Sequence, residues 1–483
     1  MKMKGLMGIA AAAGTSIAHA QTTCLRNVGP DVIVGDITGP SNYGASGGLD
    51  AFSLGTYSCN PGNVWLNWMQ STNQHPVVGM NLMKYKVSDY SGAGTNSYAR
   101  FEQIGQSWLK NTFFALSQNL CCSGCISTDG THLGVSCADP YTSSRNGSQS
   151  GMEPKWQVNA HTGAFTYPPA NPGFSANGRR TQVALSDLET SNGTTLRYFG
   201  ECQYVSPDDA AAGNQNNNSS YRECSLTTTG TFPNATESNL ALLSATVRER
   251  LALEAWKSID PTVTQTEVAV PEMSGGPTGR VLLCSKATDL GNGMWHYEYA
   301  VGNQNSDASI GAFSVPCPSG ATVTNIGFHD VAYRDGDGIG NVNIDGTDWP
   351  GVFSNGAVTW TSVPFATNAN GNAIRWGTVY NFRFDASVPP AAPNMTVTLT
   401  SWKNGINLGA LAQAPGLTTG CYANCDASTS LPCLNAQDFS CFLNKFSAHD
   451  PYANCDGSSV APTLNVLDFV CFLNRFTAGC SGC

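Results

Sequence analysis

The last 63 residues contain a duplication, and it constrains this part of the fold more tightly than any other feature of the chain. Residues 421–448 and 451–478 align without a gap at a constant offset of 30. Tyr422 matches Tyr452, and the aromatic and cysteine positions that follow match in the same register. A repeat of this extent indicates one supersecondary unit present in two copies.

The first half of each unit is a polar loop whose oxygen-bearing side chains alternate. They are Asn424, Asp426 and Ser428 in the first copy, and Asn454, Asp456 and Ser458 in the second. A curled loop can turn every second side chain inward, which suits Ca²⁺ because this ion prefers oxygen ligands. The pattern therefore predicts two calcium loops.

The second half of each unit has helical periodicity. Phe439, Phe442, Leu443 and Phe446 form one apolar stripe, and 469–476 repeat it. Asp438, like Asp468 in the second copy, falls in the first helical turn, where it suits the helix dipole and can close the metal loop. Cys425 and Cys441, which recur as Cys455 and Cys471, can link each loop to its own helix.

Two successive loop–helix units resemble the dockerin module, and the ending TAGCSGC resembles its bacterial GC-type variant. The resemblance implies a calcium-binding anchoring module and a cohesin-like scaffold or surface protein as partner. It makes ten residues metal ligands: Asn424, Asp426, Ser428, Asn435, Asp438, Asn454, Asp456, Ser458, Asn465 and Asp468. The leading Asp of the family is Asn in both copies, and each loop carries about three extra residues, which weakens affinity for Ca²⁺. The alternative is a disulfide-stabilised helical hairpin that needs no metal.

Residues 1–20 are predicted to be a signal peptide. Lys2 and Lys4 precede a short apolar run, and Ala18-His19-Ala20 fits a cleavage site. No later stretch supplies the ~20 apolar residues of a membrane span. All 18 cysteines follow residue 20, ten of them up to Cys317 and eight from Cys421 onward, and even counts favour disulfides formed in an oxidising compartment. We therefore expect a secreted, extracellular or cell-surface protein.

The composition favours turn-rich β structure and argues against nucleic acid as a partner. Charged residues make up 12% of the chain, about half the ~25% usual for soluble domains, and the formal charge is −10. An acidic surface without a basic patch repels phosphate backbones.

The body is predicted to be mainly β, with a small all-α module of two repeats at its C-terminus. The predicted segments are a β-rich, loop-rich N-terminal domain with one or two helices at 21–235, a helix at 236–262, a β-sandwich-like domain at 263–412, a linker at 413–420 and the repeats at 421–483. In the strand MWHYEYAV, alternation places Trp295, Tyr297 and Tyr299 on one face, with His296 and Glu298 on the other.

The helix at 236–262 rests on an apolar stripe at helical spacing: Leu240, Leu243, Val247, Leu251 and Ala255. Residues 101–120 also show helical spacing, through Phe101, Ile104 and Trp108. The cysteine cluster at 121–137 could suggest zinc, but a single knuckle in an exported chain favours disulfides.

A second candidate metal loop lies within the predicted sandwich. It collects Asp335, Asp337, Asn341, Asp345 and Asp348 between two strands. The spacing does not follow the EF-hand, although Ca²⁺ accepts irregular oxygen cages. A plain Gly/Asp-rich hairpin is the alternative.

No nucleophile elbow, phosphate-binding loop or dinucleotide motif occurs in the sequence. The function that this favours is an anchored structural or binding protein. The alternatives are a scaffold-tethered glycoside hydrolase, or a carbohydrate-binding module in which exposed aromatic residues of the sandwich stack on polysaccharide. A hydrolase needs two carboxylates about 5–10 Å apart across a cleft.

Overall fold

A computed structural model describes residues 27–88, 97–148, 153–170, 173, 177–230, 236–416, 421–428, 430–456, 458 and 461–479. The predicted signal peptide at 1–20 lies outside the described residues. The protein is mainly β, as predicted, with two β domains followed by a small helical tail. No helix within the described part is long and apolar enough to cross a membrane.

The first domain is a large antiparallel sheet with short helices in its connections. Its strands are β1 (Ile33–Asn42), β2 (Leu49–Cys59), β3 (Leu66–Asn67), β4 (Val77–Ser88), β5 (Tyr98–Gln106), β6 (Lys110–Asn111), β7 (His132–Leu133), β8 (Ala138–Tyr141), β9 (Thr181–Ala184), β10 (Leu196–Val205), β11 (Ser219–Thr229) and β12 (Glu237–Leu242). Its helices are α1 (Ser143–Ser148) and α2 (Pro207–Ala212), with 3₁₀ turns at Lys155–Gln157 and Leu185–Asp187.

The main sheet runs in the order β1-β2-β9-β5-β4-β10-β11-β12, with β6 beside β4 and β8 beside β2; β3 and β7 form a separate pair. The sheet curls, because its first strand also contacts its last two. The Ser220 hydroxyl donates to the Val34 carbonyl at 2.6 Å, and the Leu240 amide donates to Asn42 Oδ1 at 3.1 Å. This closure encloses one apolar core.

The second domain is the predicted β-sandwich. Its strands are β13 (Thr264–Val270), β14 (Gly279–Asp289), β15 (Trp295–Asn303), β16 (Ile310–Pro316), β17 (Val323–His329), β18 (Gly351–Ser354), β19 (Ala357–Thr361), β20 (Thr378–Ala386), β21 (Met395–Ser401) and β22 (Asn407–Ala412). One sheet has the order β13-β14-β15-β20-β17 and the other β18-β19-β16-β21-β22. Alternation in β15 is confirmed: Tyr297 and Tyr299 enter the core between the sheets, and His296 and Glu298 face the first domain.

The two domains share a buried interface. The amide of Val379 donates to Gln103 Oε1 at 2.7 Å, and Asn381 Nδ2 donates to the Phe101 carbonyl at 2.9 Å. Apolar side chains from both domains pack around the buried Trp256 of α3 (Glu254–Ile259). Strand β4 is therefore buried on both faces, because Met80 and Leu82 pack in the domain core and Met83 and Tyr85 in this interface.

The prediction of a helix over 236–262 is wrong for its first half. Residues 237–242 form β12, and only Glu254–Ile259 is helical. Leu240 is buried opposite Leu226 of β11, whereas Leu243 and Val247 are 45% and 40% exposed. Residues 237–242 pair with β11 along their whole length, so the first domain extends beyond 235.

The weaker helix prediction at 101–120 is also wrong, because Phe101 and Ile104 lie in β5. Residues three apart face opposite sides of a strand. Phe101 accordingly packs in the domain interface and Ile104 in the core of the first domain. The linker prediction needs correction as well: Gln413 accepts from the Ala287 amide and Ala414 is buried, so 413–416 belong to the sandwich.

The tail contains α4 (Ala436–Ser447), a 3₁₀ turn at Pro451–Ala453 and α5 (Val466–Ala478). Phe442 and Phe472 stack with their ring centroids 4.2 Å apart in its core. Tyr422 and Tyr452 stack at 4.7 Å, and each hydroxyl donates to the other residue's carbonyl. This reciprocity gives the duplicated units the near-symmetric packing expected of a repeat.

The disulfides follow part of the prediction. Cys425–Cys441 and Cys455–Cys471 link each loop to its own helix, as the spacing predicted. Cysteines of the 121–137 cluster form the disulfides Cys59–Cys121 and Cys125–Cys137, as expected for disulfide pairing rather than a zinc site. Such bonds fit an extracellular protein.

Four cysteines of the body depart from the expectation of pairing throughout. Cys202, Cys224, Cys284 and Cys317 are free, buried thiols. Burial raises the pKa of the Cys224 and Cys317 thiols to about 12. They lie in three different apolar cores and serve there as small apolar side chains.

Candidate metal loops and interdomain pocket

The first tail loop brings four of its five predicted ligands together. The Ser428 amide donates to Asn424 Oδ1 at 3.0 Å and to Asp426 Oδ1 at 2.9 Å. Asp438 reaches back from the first turn of α4, where its Oδ1 accepts from the Asp426 amide at 3.3 Å. Asp438 is fully buried, although it is a carboxylate. Backbone amides of the loop therefore link the side-chain oxygens of Asn424, Asp426 and Asp438.

Asn435 caps helix α4, whereas the resemblance implies that it is a metal ligand. Its Oδ1 accepts from the Gln437 amide at 2.8 Å, while its own amide donates to Asp438 Oδ2 at 2.9 Å. These two bonds are a capping box at the start of α4, and Asn465 with Asp468 repeats it on α5. The asparagines thus hold the helix N-termini and orient the aspartates.

The second loop repeats this geometry with one difference. Asp468 Oδ1 accepts from the Asp456 amide at 3.2 Å, and the Ser458 amide donates to Asp456 Oδ1 at 2.8 Å, which lowers the pKa of Asp456. Asn454 Nδ2 donates to the Ser458 carbonyl at 2.9 Å, but Asn454 Oδ1 is buried without a hydrogen-bond donor among the described residues. A buried acceptor without a donor is costly unless a cation or water takes it.

The chemistry of both loops fits a hard cation. Carboxylate, amide and hydroxyl oxygens are the ligand types of Ca²⁺, and the Asn454 oxygen lacks the donor that its counterpart Asn424 has. Each loop supplies two carboxylates. Within the described residues, no group of three or more His, Cys, Asp or Glu side chains has metal-binding geometry. With only these two carboxylates in its predicted ligand set, each loop carries a low negative charge for a calcium site.

The candidate loop at 335–348 does not gather its carboxylates. Asp335 accepts from Gln182 Nε2, Asp337 Oδ1 accepts from the Lys155 amide at 2.8 Å, and Asp345 Oδ1 accepts from Thr347. Asn341 takes a turn conformation with φ 62°. Among the described residues, Asp348 is not gathered with the others into a group of metal-binding geometry. The contacts of Asp335 and Asp337 fasten the loop to the first domain.

Four carboxylates of the first domain are each held by contacts within the protein. Glu189 pairs with Lys86 Nζ at 2.8 Å, and Glu201 accepts from Asn81 at 2.8 Å and from the Ala252 amide. Asp208 Oδ2 accepts from the Asn67 amide at 2.7 Å, and Asp209 Oδ1 from the Val32 amide at 2.9 Å. These four carboxylates are thus used in separate contacts with side chains and backbone amides.

A pocket between the two domains was not predicted. It has a volume of about 80 Å³, and its lining includes Lys155, Trp156, Asp307, Asp337, Arg375 and Trp376. These residues come from separate segments of both domains, so no local motif could have revealed it. Pockets at domain interfaces are common ligand sites.

Burial perturbs two charged groups in this pocket. It lowers the pKa of Lys155 to about 8 and raises that of Asp337 to about 6, although each charge partly stabilises the other. Lys155 Nζ donates to Gln106 Oε1 at 2.8 Å and to the Gly377 carbonyl at 3.1 Å. These bonds fix Lys155 at the domain boundary.

The aromatic residues of the sandwich do not form an exposed sugar-stacking face. Trp349, Trp360, Trp376 and Trp402 are all buried. The largely exposed aromatic side chains of the described residues are Trp65, Phe113 and Phe114, which belong to the first domain. A scan of the sequence against protein-family models and against curated proteins finds no match.

Proposed function

We propose that this protein is exported and held at an extracellular scaffold or cell surface through residues 421–479, while its two β domains act as a structural or binding body. The observation that carries the proposal is the self-contained tail. Within the described part of the chain, its core consists of its own residues around Phe442 and Phe472, and its two loop–helix disulfides close within it. A segment organised in this way can present a surface independently of the body.

A difference between the repeats supports α5 as the docking surface. Val466, Leu467 and Val470 are 70%, 59% and 44% exposed on this helix. They lie at spacings of three and four residues, so they form one apolar face. The matching positions of α4 are Ala436, Gln437 and Ser440, which are small or polar. The repeats conserve the buried stripe but differ outside it, as expected if one face contacts a partner.

Calcium would be held by the loop oxygens around Asp426 and Asp438, and by their counterparts around Asp456 and Asp468. A bound divalent cation would neutralise these paired carboxylates and fix the loops against the helix N-termini. The capping box of each helix orients its aspartate, Asp438 or Asp468, in the absence of a bound ion.

The test compares surface variants of the intact chain for retention on envelopes of the source cells. Leu467→Lys with Val470→Lys places two charges on the α5 face, and Gln437→Lys with Ser440→Lys is the matched control on α4. We expect the α5 variant to lose retention, and the control to keep it in Ca²⁺ and lose it in EDTA. Equal retention of both variants, or equal retention of a chain ending at residue 416, contradicts the proposal.

A tethered glycoside hydrolase is the second candidate, favoured by one observation. Asp307 and Asp337 line the same pocket, and the pKa of Asp337 is raised to about 6, in the direction that a general acid needs. Release of reducing ends from a polysaccharide by the intact chain, abolished in Asp337→Asn, supports this candidate. Activity unchanged by the substitution excludes Asp337 as its acid.

A further inference from the structure

Two fully buried aspartates lie in contact in the first domain. Asp31 precedes β1 and Asp209 lies in α2, and both residues are 0% exposed. Their carboxyl groups are within hydrogen-bonding contact of each other. Burial raises the pKa of both groups, the charge of Asp31 raises that of Asp209 further, and Glu249 adds a third negative charge near Asp31. Two buried carboxylates in contact cannot both be charged unless something positive lies between them.

The groups that hold this carboxylate pair are neutral. Asn27 Nδ2 and Asn217 Nδ2 donate to Asp31 Oδ2, at 2.6 and 3.2 Å. Asn218 Nδ2 donates to Asp209 Oδ2 at 2.8 Å. Neither carboxylate forms an ion pair with a basic side chain among the described residues. The protein therefore orients the two carboxyl groups without neutralising them.

Three side-chain oxygens of the same cluster lack a hydrogen-bond donor. Asp31 Oδ1, Asn217 Oδ1 and Asn218 Oδ1 are buried and have no hydrogen-bond partner among the described residues. Each amide oxygen shares a carbon with the Nδ2 atom that donates to the pair, so both amide oxygens lie beside the carboxylates. Asn218 is only 1% exposed. Buried acceptors without donors are rare, and one cation can satisfy several of them at once.

From this geometry we infer that the first domain binds a divalent cation, Ca²⁺, between Asp31 and Asp209, with the amide oxygens of Asn217 and Asn218 as further ligands. Every donor atom of this set is an oxygen, which is the ligand type of a hard cation, and the two carboxylates match its two charges. A proton shared by the two carboxyl groups is the competing occupant. The site is separate from the tail loops and does not depend on anchoring.

The ion would join two segments of the first domain, residues 27–32 and 207–218. The second of these segments also contacts the sandwich. Asn305 Nδ2 donates to Asn216 Oδ1 at 2.8 Å, and Gln304 Nε2 donates to the Asn216 carbonyl at 3.1 Å. Binding of the ion therefore stabilises a loop at the boundary between the two β domains.

The test is hydrogen exchange by mass spectrometry on the intact chain, in Ca²⁺ and in EDTA. The readout is local, so it separates this site from the tail. About 10 mM Ca²⁺ is roughly tenfold above the weakest dissociation constants of extracellular calcium modules, so we expect exchange of 27–32 and 207–218 to slow at least about tenfold. Equal exchange of both segments in Ca²⁺ and EDTA overturns the inference, whatever the tail does, and identifies the shared proton as the occupant.

Variants locate the ion. Asp209→Asn keeps the shape of the side chain and should abolish most of the Ca²⁺ response, because one of two carboxylate ligands is lost. Asp208→Asn is the matched control, since this neighbouring carboxylate accepts from the Asn67 amide and the Ser206 hydroxyl, and it should keep the wild-type response. Asp31→Asn repeats the test from the other side of the pair. Wild-type exchange of β15 shows that each variant is folded, and a full Ca²⁺ response in folded Asp31→Asn and Asp209→Asn overturns the assignment.

Discussion

Removing one loop–helix disulfide should destabilise the tail by an amount set by its loop. Cys455 and Cys471 are separated by 16 residues, and so are Cys425 and Cys441. Loop-closure entropy for this length gives about 3 kcal/mol, or about a hundredfold in the equilibrium constant for opening. Cys455→Ser with Cys471→Ser should therefore lower the protection of α5 amides from hydrogen exchange about a hundredfold.

The assay is hydrogen exchange by mass spectrometry on the intact chain, which reports on the tail and the body in one experiment. The matched variant Cys425→Ser with Cys441→Ser removes a bond that closes a loop of equal length in the first repeat, so we expect an equal loss of protection there. Strands such as β15, which lie in the sandwich, should exchange as in the wild type. A loss below about 1 kcal/mol in both variants refutes the argument, because it means that these bonds do not limit opening of the tail.

Two other predictions concern packing and pH. Phe472 forms a fully buried aromatic pair with Phe442, so Phe472→Ala should lower the unfolding free energy of the tail by about 3–5 kcal/mol, measured by urea-dependent hydrogen exchange. Leu443 is 51% exposed, so Leu443→Ala should change the same free energy by less than about 0.5 kcal/mol. Similar losses in the two variants would contradict the assigned core. Burial raises the pKa of Glu153 from 4.5 to about 8, so the folded state keeps a proton that the unfolded state releases between these values, and stability falls by about 1.4 kcal/mol per pH unit across that window. Glu153→Gln should therefore raise the melting temperature at pH 9 relative to the wild type but not at pH 4, and an equal effect at both pH values would show that proton linkage is not the cause.

The sequence predicted those parts of the fold in which side-chain periodicity and burial agree. The tail repeats the same stripe twice, and its phenylalanines pack in one core as the local spacing predicted, although Leu443 of that stripe is 51% exposed. Alternation in β15 was equally direct because Tyr297 and Tyr299 enter a core while His296 and Glu298 face the other domain.

Local spacing failed where pairing with a distant strand decided the outcome. Leu240 fits a helical stripe in the sequence, yet it is buried across from Leu226. Phe101 and Ile104 fit a helix face, but each belongs to a different core. Cys202 and Cys224 fit an even count of disulfides but lie as thiols in an apolar core.

The candidate sites show the same difference between residues that are close in the sequence and residues that are distant. The tail loops are local in sequence, so alternation found the oxygens around Asp426 and Asp456; the capping role of Asn435 and Asn465 was missed because a cap and a metal ligand require the same side chain. The interdomain pocket joins residues such as Trp156 and Arg375, which lie far apart in the chain and meet only when the two domains pack.

The most direct test of calcium organisation in the tail is calorimetric titration of the intact chain with Ca²⁺. The comparison is Asp426→Asn with Asp456→Asn, which preserves side-chain shape and leaves both capping boxes intact. We predict two ions bound in the tail of the wild type, with affinity at least about tenfold weaker in the double variant because each loop loses one of two carboxylates. Calcium binding unaffected by these substitutions, or no binding at millimolar Ca²⁺, would contradict the account.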